Sequence, residues 1–97
     1  MKVAAIHRPS AATLSIIGRK VYDPAIREVL TSGGAESIGI CQGTVLEIIV
    51  ASDIAEKTAD VMAGELNGSC PQHMTCLVVI GKTSAVTAAI DTIKKAL

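Results

Sequence analysis

Residues 61–80 have the sequence VMAGELNGSCPQHMTCLVVI, which predicts two strands joined by a loop. The strands are predicted over residues 61–66 and 76–80, because both runs are largely apolar and are separated by turn-forming residues. A hairpin connection usually has about two to five residues and carries little chemistry. This one is longer and contains a thiol, a proline, an imidazole and a thioether. We therefore expect the loop to carry the function.

The backbone of this loop is constrained on both sides of Cys70. Gly68 can adopt angles that are closed to other residues. Pro71 fixes its own φ and pushes Cys70 toward an extended conformation. The loop is thus expected to present the Cys70 thiol in a defined direction, with the rest of the chain serving as its scaffold.

The composition predicts a small aliphatic core. The chain has 97 residues, enough for one domain over 1–97, and 49% of them are hydrophobic. It contains no Phe or Trp and one tyrosine, Tyr22. Because such a core is thin for a free monomer, we expect oligomerisation.

Charge and hydropathy argue against several function classes. Nine basic residues balance nine acidic ones, and the near-absence of aromatic residues leaves nothing to stack on bases, so we expect no nucleic-acid partner. No apolar run reaches the roughly 20 residues of a membrane span, and no signal peptide is evident, so we expect a cytoplasmic protein without a membrane partner. No Ser/His/Asp set or convincing carboxylate pair appears, so we expect no enzyme activity.

The order of predicted elements indicates an α/β fold of the α+β type. Strands are expected over residues 13–20 and 36–42 in addition to the hairpin, and residues 2–7 within the 1–10 segment are either a strand or an unpaired arm. Helices are predicted from Asp23-Pro24, from Thr44 with Glu47 completing a capping box, and from Thr83 or Ser84. This order predicts one mixed or antiparallel sheet with helices on one side.

The helix that follows Thr44 has the longest periodic pattern in the chain. Its apolar face is predicted to hold Val45, Ile48, Ile49, Ser52, Ala55 and Ala59. Its polar face is predicted to hold Asp53, Glu56, Lys57 and Asp60.

Three segments resemble the bacterial microcompartment (BMC) shell domain. They are SIGI at residues 37–40, SDIAEKTADV at residues 52–61 and VIGKTSAVTAAI at residues 79–90. That family has a Gly-containing strand, a helix like ADxxxKxADV, a hairpin with a loop, and then VxxGxxxAVxxAI. In the usual family order a further strand follows the last helix. Here residues 12–27 resemble that strand and its following segment, placed at the front, which indicates the circularly permuted form.

The resemblance implies a flat cyclic homohexamer that tiles with other shell proteins into a protein shell. The loop between the predicted hairpin strands would line the central pore. Lys57 falls where the family has a lysine at the hexamer edge.

The pore loop Gly68-Ser69-Cys70-Pro71-Gln72 is similar to that of the GrpU-type shell proteins of glycyl-radical propanediol-utilising compartments. Members of that type bind an iron–sulfur cluster at the pore. The resemblance therefore implies that Cys70 is a ligand of an iron–sulfur cluster, most simply a 4Fe–4S cluster that is lost on aerobic purification. Such a cubane takes about four thiolates, whereas a hexamer offers six equivalent loops, so only some loops would bind it.

Other interpretations of these residues stay open. The string Cys70-x-x-His73-x-x-Cys76 is typical of zinc ligands, although zinc usually takes about four and only three are present. Cys76 and Cys41 are interpreted as small apolar core residues, and His73 as a loop residue. At the level of function, the alternatives are a shell hexamer with a plain metabolite pore, and a ferredoxin-like ligand-binding regulatory domain.

Overall fold

The computed structural model describes residues 1–68 and 74–97. Its elements are β1 (Lys2–His7), α1 (Ala11–Lys20), α2 (Pro24–Thr31), β2 (Ser37–Thr44), α3 (Val45–Thr58), β3 (Met62–Leu66), β4 (Met74–Gly81) and α4 (Thr83–Ala96). Within this part of the chain, four strands form one antiparallel sheet in the order β1-β2-β4-β3. The α/β fold with an antiparallel sheet is thus confirmed.

The first strand is a full member of the sheet. Residues 2–7, for which the sequence leaves open a strand or an unpaired arm, form β1 and pair with β2 from Lys2 opposite Gln42 to His7 opposite Ser37. Since β2 also pairs with β4, β1 covers what would otherwise be an open sheet edge.

The prediction of a strand over residues 13–20 is wrong, because this segment lies in helix α1. The Ser10 side chain accepts a hydrogen bond from the Thr13 backbone N–H at 3.2 Å and caps the helix. Ile17 and Val21, one helical turn apart, then bury on the same side. Tertiary burial at helical spacing here outweighs the β-branched content of the segment. The strand that stands at the front of the chain is β1.

Helices cover both faces of the sheet, so the prediction of helices on one side holds only for α3 and α4. Those two helices pack on the face that carries Cys41, Leu77 and Val79. The other face, which includes Val78 and Ile80, packs against α1 and α2. The one-sided prediction depends on a strand in place of α1, and the helix there changes the outcome. The consecutive apolar residues of β4 fit a strand that is buried on both faces.

Two glycines allow the helices to approach the sheet closely. A Cβ added to Gly39 in β2 would lie 2.6 Å from Cδ1 of Ile90 in α4. On the opposite face, a Cβ added to Gly64 in β3 would lie 2.5 Å from Cδ1 of Ile26 in α2. Both distances are far below van der Waals contact, so each position requires a residue without a side chain.

Side-chain caps set where α2 and α3 begin, as the sequence predicts. Asp23 accepts from the Ala25 backbone N–H at 2.9 Å, with Pro24 in the first turn. At α3, Thr44 Oγ1 accepts from the Glu47 backbone N–H at 3.2 Å, and Glu47 Oε1 accepts from the Thr44 backbone N–H at 2.9 Å. Among the helices of residues 1–68 and 74–97, none combines the length and apolar content needed to cross a bilayer.

The apolar face predicted for α3 is only partly correct. Ile48 and Ala55 are buried as expected, and Ala51 joins them. Val45 and Ile49, predicted to be buried, are exposed. The buried stripe is therefore narrower than the sequence predicts, and apolar side chains are left on the outer side of the helix.

Candidate functional site

The predicted hairpin is present, with β3 and β4 paired antiparallel from Met62 opposite Ile80 to Leu66 opposite Cys76. The second strand begins at Met74, two residues earlier than predicted. Residues 69–73 lie outside the described residues, and with them the predicted pore-loop residues Ser69, Cys70, Pro71, Gln72 and His73. Gly68 is described and is exposed. The roles assigned to these six residues stay predictions.

The N-terminal side of the loop is tied to the segment that joins α1 to α2. The Asn67 backbone N–H donates to the Lys20 carbonyl at 2.5 Å, and Tyr22 Oη donates to Asn67 Oδ1 at 3.0 Å. Val21 forms an isolated antiparallel bridge with Leu66. The last residues before the loop are thus held by an additional short stretch of backbone pairing.

A side-chain contact links the two strands close to the loop. Thr75 Oγ1 donates to Glu65 Oε2 at 2.8 Å, joining β4 to β3. Together with the Tyr22–Asn67 contact, it means that both strands are restrained where they leave the sheet. Sequence reasoning missed the Tyr22–Asn67 pair, because its partners are 45 residues apart and no local pattern connects them.

The two described cysteines lie on opposite faces of the sheet. Cys41 is fully buried on the α3/α4 face, as predicted. Burial, followed by electrostatic repulsion from Cys76, raises the pKa of the Cys41 thiol to about 11. Cys76 is half-buried and packs against the cluster formed by α1 and α2. Since the thiolate is the form that binds a metal, Cys41 is unsuited to be a ligand.

Within residues 1–68 and 74–97, no three His, Cys, Asp or Glu side chains are grouped as a metal site would require. The candidate donors for a metal or a cluster are therefore those of the loop, with Cys70 first among them. A soft thiolate on a loop between two restrained strands is a donor type that fits an iron–sulfur cluster.

Lys57, the predicted hexamer-edge residue, lies in the last turn of α3. Its Nζ is 2.9 Å from Oδ2 of Asp53, and the two side chains are 76% and 61% exposed. An exposed pair of this kind contributes little to the stability of the fold. Lys57 is therefore available for an external contact, and its role at an edge stays a prediction.

The family model of the BMC domain matches residues 36–97, almost two thirds of the chain. The chain belongs to the BMC domain family. Comparison with curated protein sequences gave no match. The BMC match begins just before β2, so β1, α1 and α2 precede the matched region although β1 completes the sheet. This is the arrangement of a circularly permuted BMC domain.

Solved shell proteins share the whole arrangement. The ligand-free GrpU microcompartment shell protein from Pectobacterium wasabiae is 27% identical, with a TM-score of 0.73 over 96% of this chain and 99% of its own. The ligand-free GrpU shell protein from Clostridiales bacterium 1_7_47FAA is 29% identical, with a TM-score of 0.71 over 99% of this chain and 90% of its own.

A third neighbour bears on the permuted order. The fused permuted hexameric shell protein of the RMM microcompartment has the same fold, with a TM-score of 0.69 and 22% identity over 98% of this chain and 44% of its own. With the BMC match and the two GrpU structures, this makes the chain a structural shell protein of a microcompartment, close to GrpU.

Proposed function

We propose that this BMC protein forms a cyclic homohexamer that tiles with other shell proteins, and that its pore loop holds an iron–sulfur cluster through Cys70. Within the shell, the cluster would serve electron transfer across the wall. The observation that carries the proposal is the distribution of the thiols. Cys41 is buried with its pKa raised to about 11, Cys76 packs against the α1/α2 cluster, and Cys70 belongs to the loop between β3 and β4.

This distribution ties the cluster to the oligomer. An iron–sulfur cluster is held by about four thiolates, whereas each chain offers one candidate thiol in this loop. A cluster therefore needs loops from several copies that converge on one axis, and a cyclic hexamer places its loops in that way. When bound, the cluster would supply one-electron redox chemistry. The chain supplies the thiolates and, through Tyr22 and Asn67, a restrained base for the loop.

Membership of the BMC family favours the shell over the ferredoxin-like regulatory domain, because BMC shell proteins form hexamers and assemble with one another. The likeness to two GrpU proteins at 27% and 29% identity supports the pore-loop comparison made from the sequence. The assignment to a glycyl-radical, propanediol-utilising compartment rests on that sequence resemblance alone.

The zinc alternative requires Cys76 to turn toward the loop. In the structure Cys76 lies in β4 opposite Gln42 of β2 and packs against the α1/α2 cluster. A string that used Cys70, His73 and Cys76 would therefore have to disturb the start of β4. This cost favours a cluster shared between chains over a zinc site within one chain.

Anaerobic expression with added iron, followed by assays of iron, sulfide and zinc, tests the proposal. Wild-type protein should be brown, with a broad visible absorbance that air bleaches. Cys70→Ser should be colourless and still hexameric, whereas the control variants Cys41→Ala and Cys76→Ala should keep the colour. Zinc without iron would instead support the Cys-x-x-His-x-x-Cys string. Hexamers without either metal would make the pore a plain metabolite channel.

A further inference from the structure

The first two turns of α3 carry an exposed apolar surface. Leu46 is 72% exposed, Ile49 61%, Val45 47% and Val50 38%, and these four residues are named here the α3 patch. They are half of the large apolar side chains that are exposed in residues 1–68 and 74–97. Their concentration on one short helical segment distinguishes them from the scattered exposed apolar residues that any protein has.

The patch is not needed to hold α3 against its own sheet. The inner side of the helix is filled by Ile48, Ala51 and Ala55, all buried. With Leu46 and Ile49 pointing away from these residues, the first two turns are apolar on nearly every side. A helix that is apolar all round is normally buried all round. The outer side therefore calls for a cover that a single copy does not supply.

The patch continues into a groove beside the hairpin. A groove of about 290 Å³ separates α3 from β3 and β4. Val45 and Ile49 of the patch form part of one wall, and Ala63, Glu65 and Thr75 belong to the other. The last two residues are those hydrogen-bonded to each other close to the loop. Patch and groove thus make one surface that runs from α3 to the base of the Cys70 loop.

We propose that the α3 patch and this groove form the surface on which a second copy of the chain packs within the hexamer. This inference rests on the proposed hexamer and adds which surface builds it. The occupant is a copy of the same chain because the family assembles with itself and because the surface ends beside the loop whose thiols must converge. Docking at this surface would fix the position of each Cys70 loop relative to the next, so the cluster site is incomplete without it.

The other half of α3 has the opposite character. Asp53 and Lys57 form an exposed ion pair on its last turns. A hydrated ion pair is depleted from the cores of stable interfaces, whereas large apolar side chains are enriched there. Helix α3 would therefore contact its neighbour within the hexamer through Leu46 and Ile49, and leave Lys57 for contacts between hexamers.

The test is the concentration at which hexamers of the anaerobically purified protein dissociate, measured by light scattering and analytical ultracentrifugation. The double variant Leu46→Asp/Ile49→Asp should raise this concentration by about 100-fold or more, since it removes two large apolar side chains from the interface. Leu46→Met, which keeps the apolar surface, should change it by less than about threefold. Circular dichroism melts of the isolated variants establish that they are folded.

Ile16→Asp is the matched control, because Ile16 is 46% exposed and lies in α1 on the other side of the sheet. It should leave the hexamer intact. An intact hexamer in the Leu46→Asp/Ile49→Asp variant would overturn the assignment of this surface, and so would an equal loss from Ile16→Asp. A wild-type protein that is not hexameric would refute the proposed function itself, which separates the two failures.

Discussion

Tyr22 donates a hydrogen bond from Oη to Oδ1 of Asn67 at 3.0 Å, and so joins the segment between α1 and α2 to the first residue after β3. Tyr22 is the one aromatic residue of the chain, and 59% of it is exposed. An exposed aromatic ring packs little apolar surface in the monomer. Its hydroxyl group is what connects it to the base of the Cys70 loop.

Tyr22→Phe should leave the fold and the hexamer intact but loosen the base of the loop. The lost hydrogen bond is worth about 1 kcal/mol in the free energy of unfolding. We expect the colour of the anaerobic protein to bleach faster in air than that of the wild type, as followed by visible absorbance. Thr92→Val is the control, because it removes a hydroxyl that bonds within α4, to the Ala88 carbonyl. Equal bleaching rates for all three proteins would contradict a role for Tyr22 in the loop.

Lys57→Glu should preserve the hexamer and weaken its assembly into sheets. The side chain is 76% exposed and contacts Asp53 of its own helix, so the substitution removes little from the fold. It reverses a charge where the family resemblance places the hexamer edge. Electron microscopy of expressing cells would show the loss of sheets. Lys94→Glu, an equal reversal on the exposed side of α4, is the control, and sheets that survive Lys57→Glu would reduce Lys57 to a solvated charge.

Gly39→Ala should destabilise the protein by about 1–3 kcal/mol, because its Cβ would overlap Ile90. Urea unfolding measures the change, and the double variant Gly39→Ala/Ile90→Val should not recover it fully, since Cγ1 of Ile90 also lies 2.7 Å from the added Cβ. Gly18→Ala is the contrasting change. Its Cβ would meet nothing closer than 3.9 Å in the interior of α1, so it should be neutral or stabilising. Equal effects of the two substitutions would contradict the close approach of α4 to β2.

Stability should fall in acid partly through Glu47. The hydrogen bond from the Thr44 backbone N–H lowers the pKa of Glu47 below its ordinary value of 4.5. Because the folded-state pKa is the lower one, the stabilisation is complete above 4.5 and is lost as the pH falls through the lowered pKa. Glu47→Gln keeps a capping side chain but cannot titrate, so the difference in unfolding free energy between the two proteins should shrink from pH 6 to pH 3 in urea titrations. A constant difference would exclude the capping carboxylate as a titrating group.

Local signals predict those parts of the fold whose partners lie close in sequence. The capping box of Thr44 and Glu47 and the Asp23-Pro24 start of α2 are contacts within three residues, and both are present. For α1 the same local signals predict a strand, because the aliphatic and β-branched residues outweigh the helical spacing of Ile17 and Val21. The burial of this helix against the sheet, which decides its conformation, is long-range.

The site divides in the same way. The residue types of the loop and the resemblance to the BMC domain are enough to point to Cys70. The anchoring of the loop through Tyr22, and the burial that raises the pKa of Cys41, depend on where distant segments meet. The exposure of Ile49 could not be predicted from α3 alone, since the periodic pattern places it beside buried residues and only the packed sheet shows how narrow the buried stripe is.

The native mass of the anaerobically purified protein tests the central claim most directly, because one spectrum reports both the number of chains and what they hold. We predict a hexamer that carries one iron–sulfur cluster, and for Cys70→Ser a hexamer of bare chains. A wild-type monomer or dimer would contradict the shell hexamer. A wild-type hexamer whose added mass is zinc, or which has no added mass, would contradict the cluster at Cys70.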